Sequence, residues 1–149
     1  VVTRVFVDTS ALLALLDRAD PRHTQARETF TGFADAELVS HGYVVAETLA
    51  VTRRRLGVDA TIAVIDDLLP AIDVLPVTPA EHATALARYR ASLPSGTSFV
   101  DQMSFQVIER EGIAAAFVLD ADFAATGVEM LPAARRAQGR YRRSVTDSG

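Results

Sequence analysis

Apolar residues in this chain gather in short runs separated by longer, mixed segments. "RVFV" (4–7) and "AAAFVL" (114–119) are unbroken runs of strand length. "ELVS" (37–40) and "VEML" (128–131) are shorter, and Pro132 stops the second. "IDVLPV" (72–77) alternates toward a strand. The segments between them predict helices. One spans Thr9 to Arg18, with Asp8 or Thr9 as its cap. A second opens at Asp20 and Pro21 and runs to about Phe33. "HGYVVAETLAVTRRRLG" (41–57) closes at Gly57 as a helix end should. "VDATIAVIDDLLPAI" (58–72) predicts another helix. "TPAEHATALARYRASL" (78–93) opens with Thr78, Pro79 and Glu81 spaced as a capping box. "FVDQMSFQVIEREG" predicts a helix ending at Gly112, and "DADFAATG" (120–127) a short helical turn.

Strands alternate with helices through most of the chain. Apolar runs without polar alternation suit strands covered on both faces. Together these predict an α/β fold: a parallel central sheet flanked by helices on both faces. Length adds that one domain suffices, since 149 residues can bury a core of useful size. Residues 1–133 are expected to form it, and 134–149 a polar, arginine-rich tail. No apolar stretch approaches the ~18 residues of a membrane span. Residues 1–7 carry Arg4 and no cleavage pattern, so a cytoplasmic protein is expected.

Charge changes the picture in two ways. The net charge of −4 argues against indiscriminate nucleic-acid binding. Yet all fifteen basic residues are arginine, and they cluster, at Arg53, Arg54 and Arg55 and again between Arg135 and Arg143. The absence of cysteine excludes disulfides, thiolate zinc sites and thiol nucleophiles.

The acids carry the candidate chemistry. Ligands of open parallel sheets bind at the carboxyl ends of strands. Asp8 ends the first strand, and Asp120 follows "AAFVL". Glu47 lies on the helix after the second strand, and Asp101 opens the helix of "SFVDQMSF". Each has a plain structural alternative: Asp8 and Asp120 as helix caps, Ser98 with Asp101 as a capping box, Glu47 as a solvated helix residue. As a set they make a different case. Unit charges ~4 Å apart repel by about 4 kcal/mol at an effective dielectric of ~20. A divalent cation would offset that repulsion, and oxygen donors without thiols favour Mg²⁺, with Mn²⁺ as the alternative.

These segments resemble PIN-domain nucleases. "VFVDTSALLALLD" resembles the family's opening motif, "VVAETLAVTRRRLG" its glutamate helix, "SFVDQMSF" its third acidic motif and "VLDADFAATGVEMLP" its closing strand–acid–Phe segment. The likeness spans nearly the whole chain and is strongest to the VapC toxins of VapBC toxin–antitoxin pairs. It implies an endoribonuclease that hydrolyses RNA phosphodiester bonds with a metal-activated water. Asp8, Glu47, Asp101 and Asp120 would be its catalytic acids, with Asp8, Asp101 and Asp120 on the metal. Asp122 is the alternative or supporting fourth acid. Thr9 and Ser10 would hold the Asp8 carboxylate, and Ser98 would support Asp101. The resemblance further implies an RNA substrate, a VapB-like antitoxin and a homodimer. A PIN-like module that binds RNA or protein without cutting is the second reading.

Rival readings fail on residues. A haloacid-dehalogenase-like phosphatase needs an acid where Ser10 stands, and both it and a receiver domain need a lysine. No phosphate-binding glycine motif is present. A metal-free ribonuclease needs paired histidines; His23 and His82 read as surface residues, and His41 as a cleft candidate. Arg54, seven residues beyond Glu47, should share its helical face and reach RNA phosphate. The alternative for all three arginines is a solvated helix end favoured by the macrodipole. Few aromatic residues are placed to stack bases.

Overall fold

The computed structural model describes residues 3–120, 123 and 126–133. Among them five strands form one sheet: β1 (Arg4–Val7), β2 (Glu37–His41), β3 (Ile72–Leu75), β4 (Ala115–Phe117) and β5 (Glu129–Leu131). Every pairing is parallel, and the order is β3-β2-β1-β4-β5. The helices are α1 (Thr9–Leu16), α2 (His23–Thr31), α3 (Gly42–Arg55), α4 (Val58–Ala63), α5 (Pro79–Ala91) and α6 (Phe99–Glu111). The α/β sheet expected from the apolar runs is therefore present.

Strand order explains the hydropathy of each run. β1 is central, so Val5, Phe6 and Val7 are all buried and its sequence carries no polar alternation. β3 and β5 lie at the edges, which is why Asp73 and Glu129 are tolerated as exposed residues. The chain steps outward from β1 through β2 to β3, then crosses back to place β4 on the far side of β1. Right-handed crossovers then put α1–α4 on one face and α5 and α6 on the other. The core runs through the sheet: Phe6 stacks on Phe123 with ring centroids 6.2 Å apart, and Phe117 meets the edges of Phe30 and Phe33.

The predicted helix over 58–72 departs most from expectation. After α4 the coil widens to a π-helix over 64–68 and tightens to a 3-10 turn over 69–71. Pro70 has no N–H to continue the ladder, so the hydrogen bonding must change pitch near it. The strand predicted over 72–77 ends at Leu75, because Pro76 cannot donate to the sheet. The run at 114–119 pairs only at 115–117, since β5 offers only three partners. The two capping boxes and the left-handed Gly112 (φ 61°) are present as expected. Asp122, the fourth-acid alternative, and the tail at 134–149 lie outside the described residues.

Candidate active site

The order of strands changes direction between β1 and β4, and the carboxyl ends of these two neighbours form the expected binding crevice. Asp8 and Asp120 stand there. The Asp8 backbone N–H donates to Phe117 O at 3.0 Å, so β1 and β4 are still paired where the carboxylate begins. Asp8 caps α1: its Oδ2 accepts from Ser10 N at 3.0 Å and Ser10 Oγ at 2.6 Å. Ser10 Oγ in turn accepts from Leu119 N at 3.0 Å. One hydroxyl therefore ties the first acid to the residue preceding the fourth.

Asp101 is the third residue of α6. Its N–H donates to Ser98 Oγ at 3.0 Å, and its Oδ2 accepts from Ser98 N at 3.1 Å. The capping-box reading of this pair is correct, and the side chain still faces the crevice. Phe99 anchors this end of α6, with its ring 5.5 to 6.0 Å from those of His82, Tyr43 and Tyr89. This aromatic group, drawn from three helices, was not foreseen from the sequence; its members are dispersed over residues 43 to 99. Glu47, half-buried in mid-α3, completes the set.

All four acids line one groove of about 260 Å³, together with Ser10, Ser98 and Arg55. It continues past Ser10, Arg55 and Asp120 into a cavity of about 420 Å³ that reaches Asp20 and Arg22. Asp8 is the most buried member, only 4% exposed. Burial pushes its carboxyl up to about 6. The Ser10 hydrogen bonds pull it down, while the charges of Asp101 and Glu47 push it further up. A buried carboxylate repelled by two others is one that a bound cation would stabilise.

Fit to a divalent ion rests on that donor chemistry. The groove offers carboxylate oxygens, no sulfur and no lining histidine, which suits a hard cation. Among the described residues, no three acids or histidines are drawn tightly enough to hold an ion by themselves. Mg²⁺ commonly binds through one or two carboxylates and keeps several waters, so the donor set is compatible with it.

Three site expectations change. Thr9 does not hold Asp8. Its hydroxyl donates to Val44 O at 3.4 Å and accepts from Thr48 Oγ1 at 3.3 Å, docking α1 against the glutamate helix. It is buried, and the carboxylate is already served by Ser10. Arg54 is exposed and lines neither cavity, whereas Arg55 lines both. A seven-residue spacing aims a side chain along Glu47's own direction, but the groove widens to one side of it. His41 is no cleft residue. It is fully buried at the start of α3, its Nε2 2.8 Å from Ser104 Oγ, and burial lowers its imidazole to about 4. Arg22 was missed because its contact, Leu119 O at 3.1 Å, is 97 positions away.

A sequence model of the PIN domain matches residues 5–129. The 23S rRNA-specific endonuclease VapC20 of Mycobacterium tuberculosis is 34% identical over 135 residues, covering 86% of this chain and 98% of that protein. Ribonuclease VapC26 of the same organism is 47% identical over 64 residues, 43% of this chain and 47% of that protein. The crystal structure of VapC20, described as a sarcin–ricin loop cleaving toxin, superposes with a TM-score of 0.74 at 31% identity, covering 83% of this chain and 95% of that one. PAE2754 from Pyrobaculum aerophilum shares the fold, with a TM-score of 0.55 at 21% identity over 87% of this chain and 92% of that one.

Proposed function

Because this chain belongs to the PIN domain family, we propose that it is an endoribonuclease toxin of the VapC kind that depends on Mg²⁺ or Mn²⁺. The observation that carries the reading is Asp8: a buried carboxylate, raised to about 6, facing two further acids in the crevice where strand order reverses. A fold built only for stability avoids such repulsion.

Asp8, Asp101 and Asp120 are the residues that would hold the cation. The ion supplies charge neutralisation at phosphate and a lowered pKa for water. Ser10 holds Asp8 in place through two hydrogen bonds, and the Ser98 pair fixes Asp101. Glu47 orients the attacking water and accepts its proton. Water adds to phosphorus, the 3′ oxygen leaves and takes up a proton, and the products are a 5′-phosphate and a 3′-hydroxyl. Arg55 lines both cavities, and among the described residues it has no ion pair, so it is available to a backbone phosphate. Asp122 remains the secondary acid. Its relative VapC20 is named for 23S rRNA, which makes that RNA the first substrate to test. A VapB-like antitoxin, a homodimer and a cytoplasmic location complete the reading. Among the described residues no helix is long and apolar enough to cross a membrane.

The test is incubation of the purified chain with 23S rRNA in Mn²⁺, in EDTA, and with Asp8→Ala, followed by mapping of fragment ends. Cleavage only in Mn²⁺ with intact Asp8, leaving 5′-phosphates, is expected. RNA bound but uncut in every arm establishes the non-catalytic binding module instead.

A further inference from the structure

Asp120 lies beyond the part of β4 that the sheet holds. The β4–β5 ladder covers residues 115–117, and its last contact is Val118 N–H donating to Leu131 O at 3.0 Å. Leu119 has no place in that ladder, yet both of its backbone polar groups are taken by side chains. Its N–H donates to Ser10 Oγ, and its carbonyl accepts from Arg22 Nη1 at 3.1 Å. Arg22 is itself aimed. Its Nε donates to Asp20 Oδ1 and its Nη2 to Asp20 Oδ2, each at 3.1 Å. Asp20 Oδ1 also accepts the Arg22 backbone N–H at 2.8 Å. The Nε–Nη2 edge of the guanidinium is thus fixed on Asp20, leaving Nη1 directed at the strand end.

We propose that Arg22, oriented by Asp20, is a positioning residue that sets the direction of Asp120 toward the metal groove by clamping Leu119 opposite Ser10. The inference rests on reading Asp120 as one of the metal carboxylates. Arg22 also lines the larger cavity beside Asp120, so the two opposite charges attract. That attraction makes the prediction sharp, because two effects of Arg22 on metal binding have opposite signs. As a positive charge near the site it weakens cation binding; as a clamp it strengthens it. Arg22→Lys separates them. Lysine keeps the charge but has no planar fork to hold Asp20 and reach Leu119 together.

The experiment is calorimetric titration of Mn²⁺ into the full chain, as wild type and as Arg22→Lys, Arg22→Ala, Asp120→Asn and Arg22→Lys with Asp120→Asn. Thermal unfolding in EDTA checks that each is folded. Arg22→Lys is expected to weaken Mn²⁺ binding about tenfold, the lower end of what loss of an outer-shell partner costs. In the Asp120→Asn background it should add nothing, because there is no carboxylate left to position. Arg22→Ala gives a folded variant to read should lysine find a new partner, and it too should weaken binding despite removing a repulsive charge. If Arg22→Lys matches wild type and Arg22→Ala binds Mn²⁺ more tightly, Arg22 acts only as a charge and the clamp is refuted. Unchanged Mn²⁺ binding with a raised KM for RNA assigns Arg22 to substrate contact and also overturns it. If Asp120→Asn itself leaves Mn²⁺ binding intact, the fourth-acid assignment fails, and the clamp with it.

Discussion

Asp8→Asn should abolish cleavage and yet make the metal-free protein more stable. The wild-type carboxyl is raised from its ordinary 3.8 to about 6, chiefly by burial. Between those values the folded protein holds a proton that the unfolded chain releases, so stability falls as pH climbs through the window. A shift of about two units corresponds to roughly 3 kcal/mol lost above pH 6. Asparagine still caps α1 through its oxygen and carries no charge to bury. In EDTA at pH 8 the variant should therefore gain up to roughly 3 kcal/mol, or roughly 6 to 12 °C for a domain of this length. At pH 4.5 folded Asp8 is protonated while most unfolded chains have released that proton, so the gain should shrink to roughly 1 kcal/mol. Comparing variants is essential because His41 acts oppositely. Its imidazole, lowered from 6.5 to about 4, makes stability rise with pH over nearly the same range. Scanning calorimetry at five pH values reads both melting curves. A gain of equal size at pH 4.5 and pH 8, or no gain at pH 8, would refute the argument that Asp8 is a buried, repelled carboxylate.

Asp101→Asn should leave the melting temperature within a few degrees, since asparagine retains a capping oxygen, but should lower kcat by at least the roughly hundredfold that even an outer-shell partner can cost. Full activity in single-turnover cleavage assays would leave Asp101 with the capping role alone. Arg55→Ala should raise KM for RNA roughly tenfold and reduce the salt slope of binding by about one, whereas Arg54→Ala should do neither. Filter binding at several salt concentrations distinguishes them. Thr9→Val should destabilise the fold by about 1 kcal/mol through loss of its bond to Val44. Urea unfolding measures this, and an unchanged midpoint would remove Thr9 from the α1–α3 contact.

Asp8, Glu47 and Asp101 were legible in the sequence because each is joined covalently to the element that aims it, whereas the residue before Asp120 is held from 97 and 109 positions away. Asp8 follows a buried strand directly, and Asp101 sits three residues after Ser98, so sequence spacing alone carries their direction. What was not legible crosses between elements. Thr9 looked like a partner for its neighbour Asp8, but its hydroxyl is spent on Val44, 35 positions away. Arg55 rather than Arg54 lines the groove because the position of α1 and α6 decides which flank of α3 is open. His41 stayed open as a cleft candidate, since nothing local announces that Ser104 will cover it. The pitch change at 64–68 shows the same limit in the backbone: Pro70 marks where an α-helix must yield, not which form replaces it.

The hydrogen bond from Leu119 to Ser10 spans 109 positions, and it has a consequence for the chain while it is being made. Closing a loop of that length costs roughly 4 kcal/mol beyond a constant, so β1 and β4 meet late, after the local helices have formed. Until then Asp8 lacks Phe117 to fix its backbone, and Ser10 lacks Leu119. At roughly 5 to 20 residues per second, a ribosome that has delivered Glu47 needs several more seconds to deliver Asp120. A nascent or truncated chain ending before β4 carries three of the four acids but no crevice to hold them. Assembly of the four-acid groove is thereby withheld until translation of the domain is almost complete.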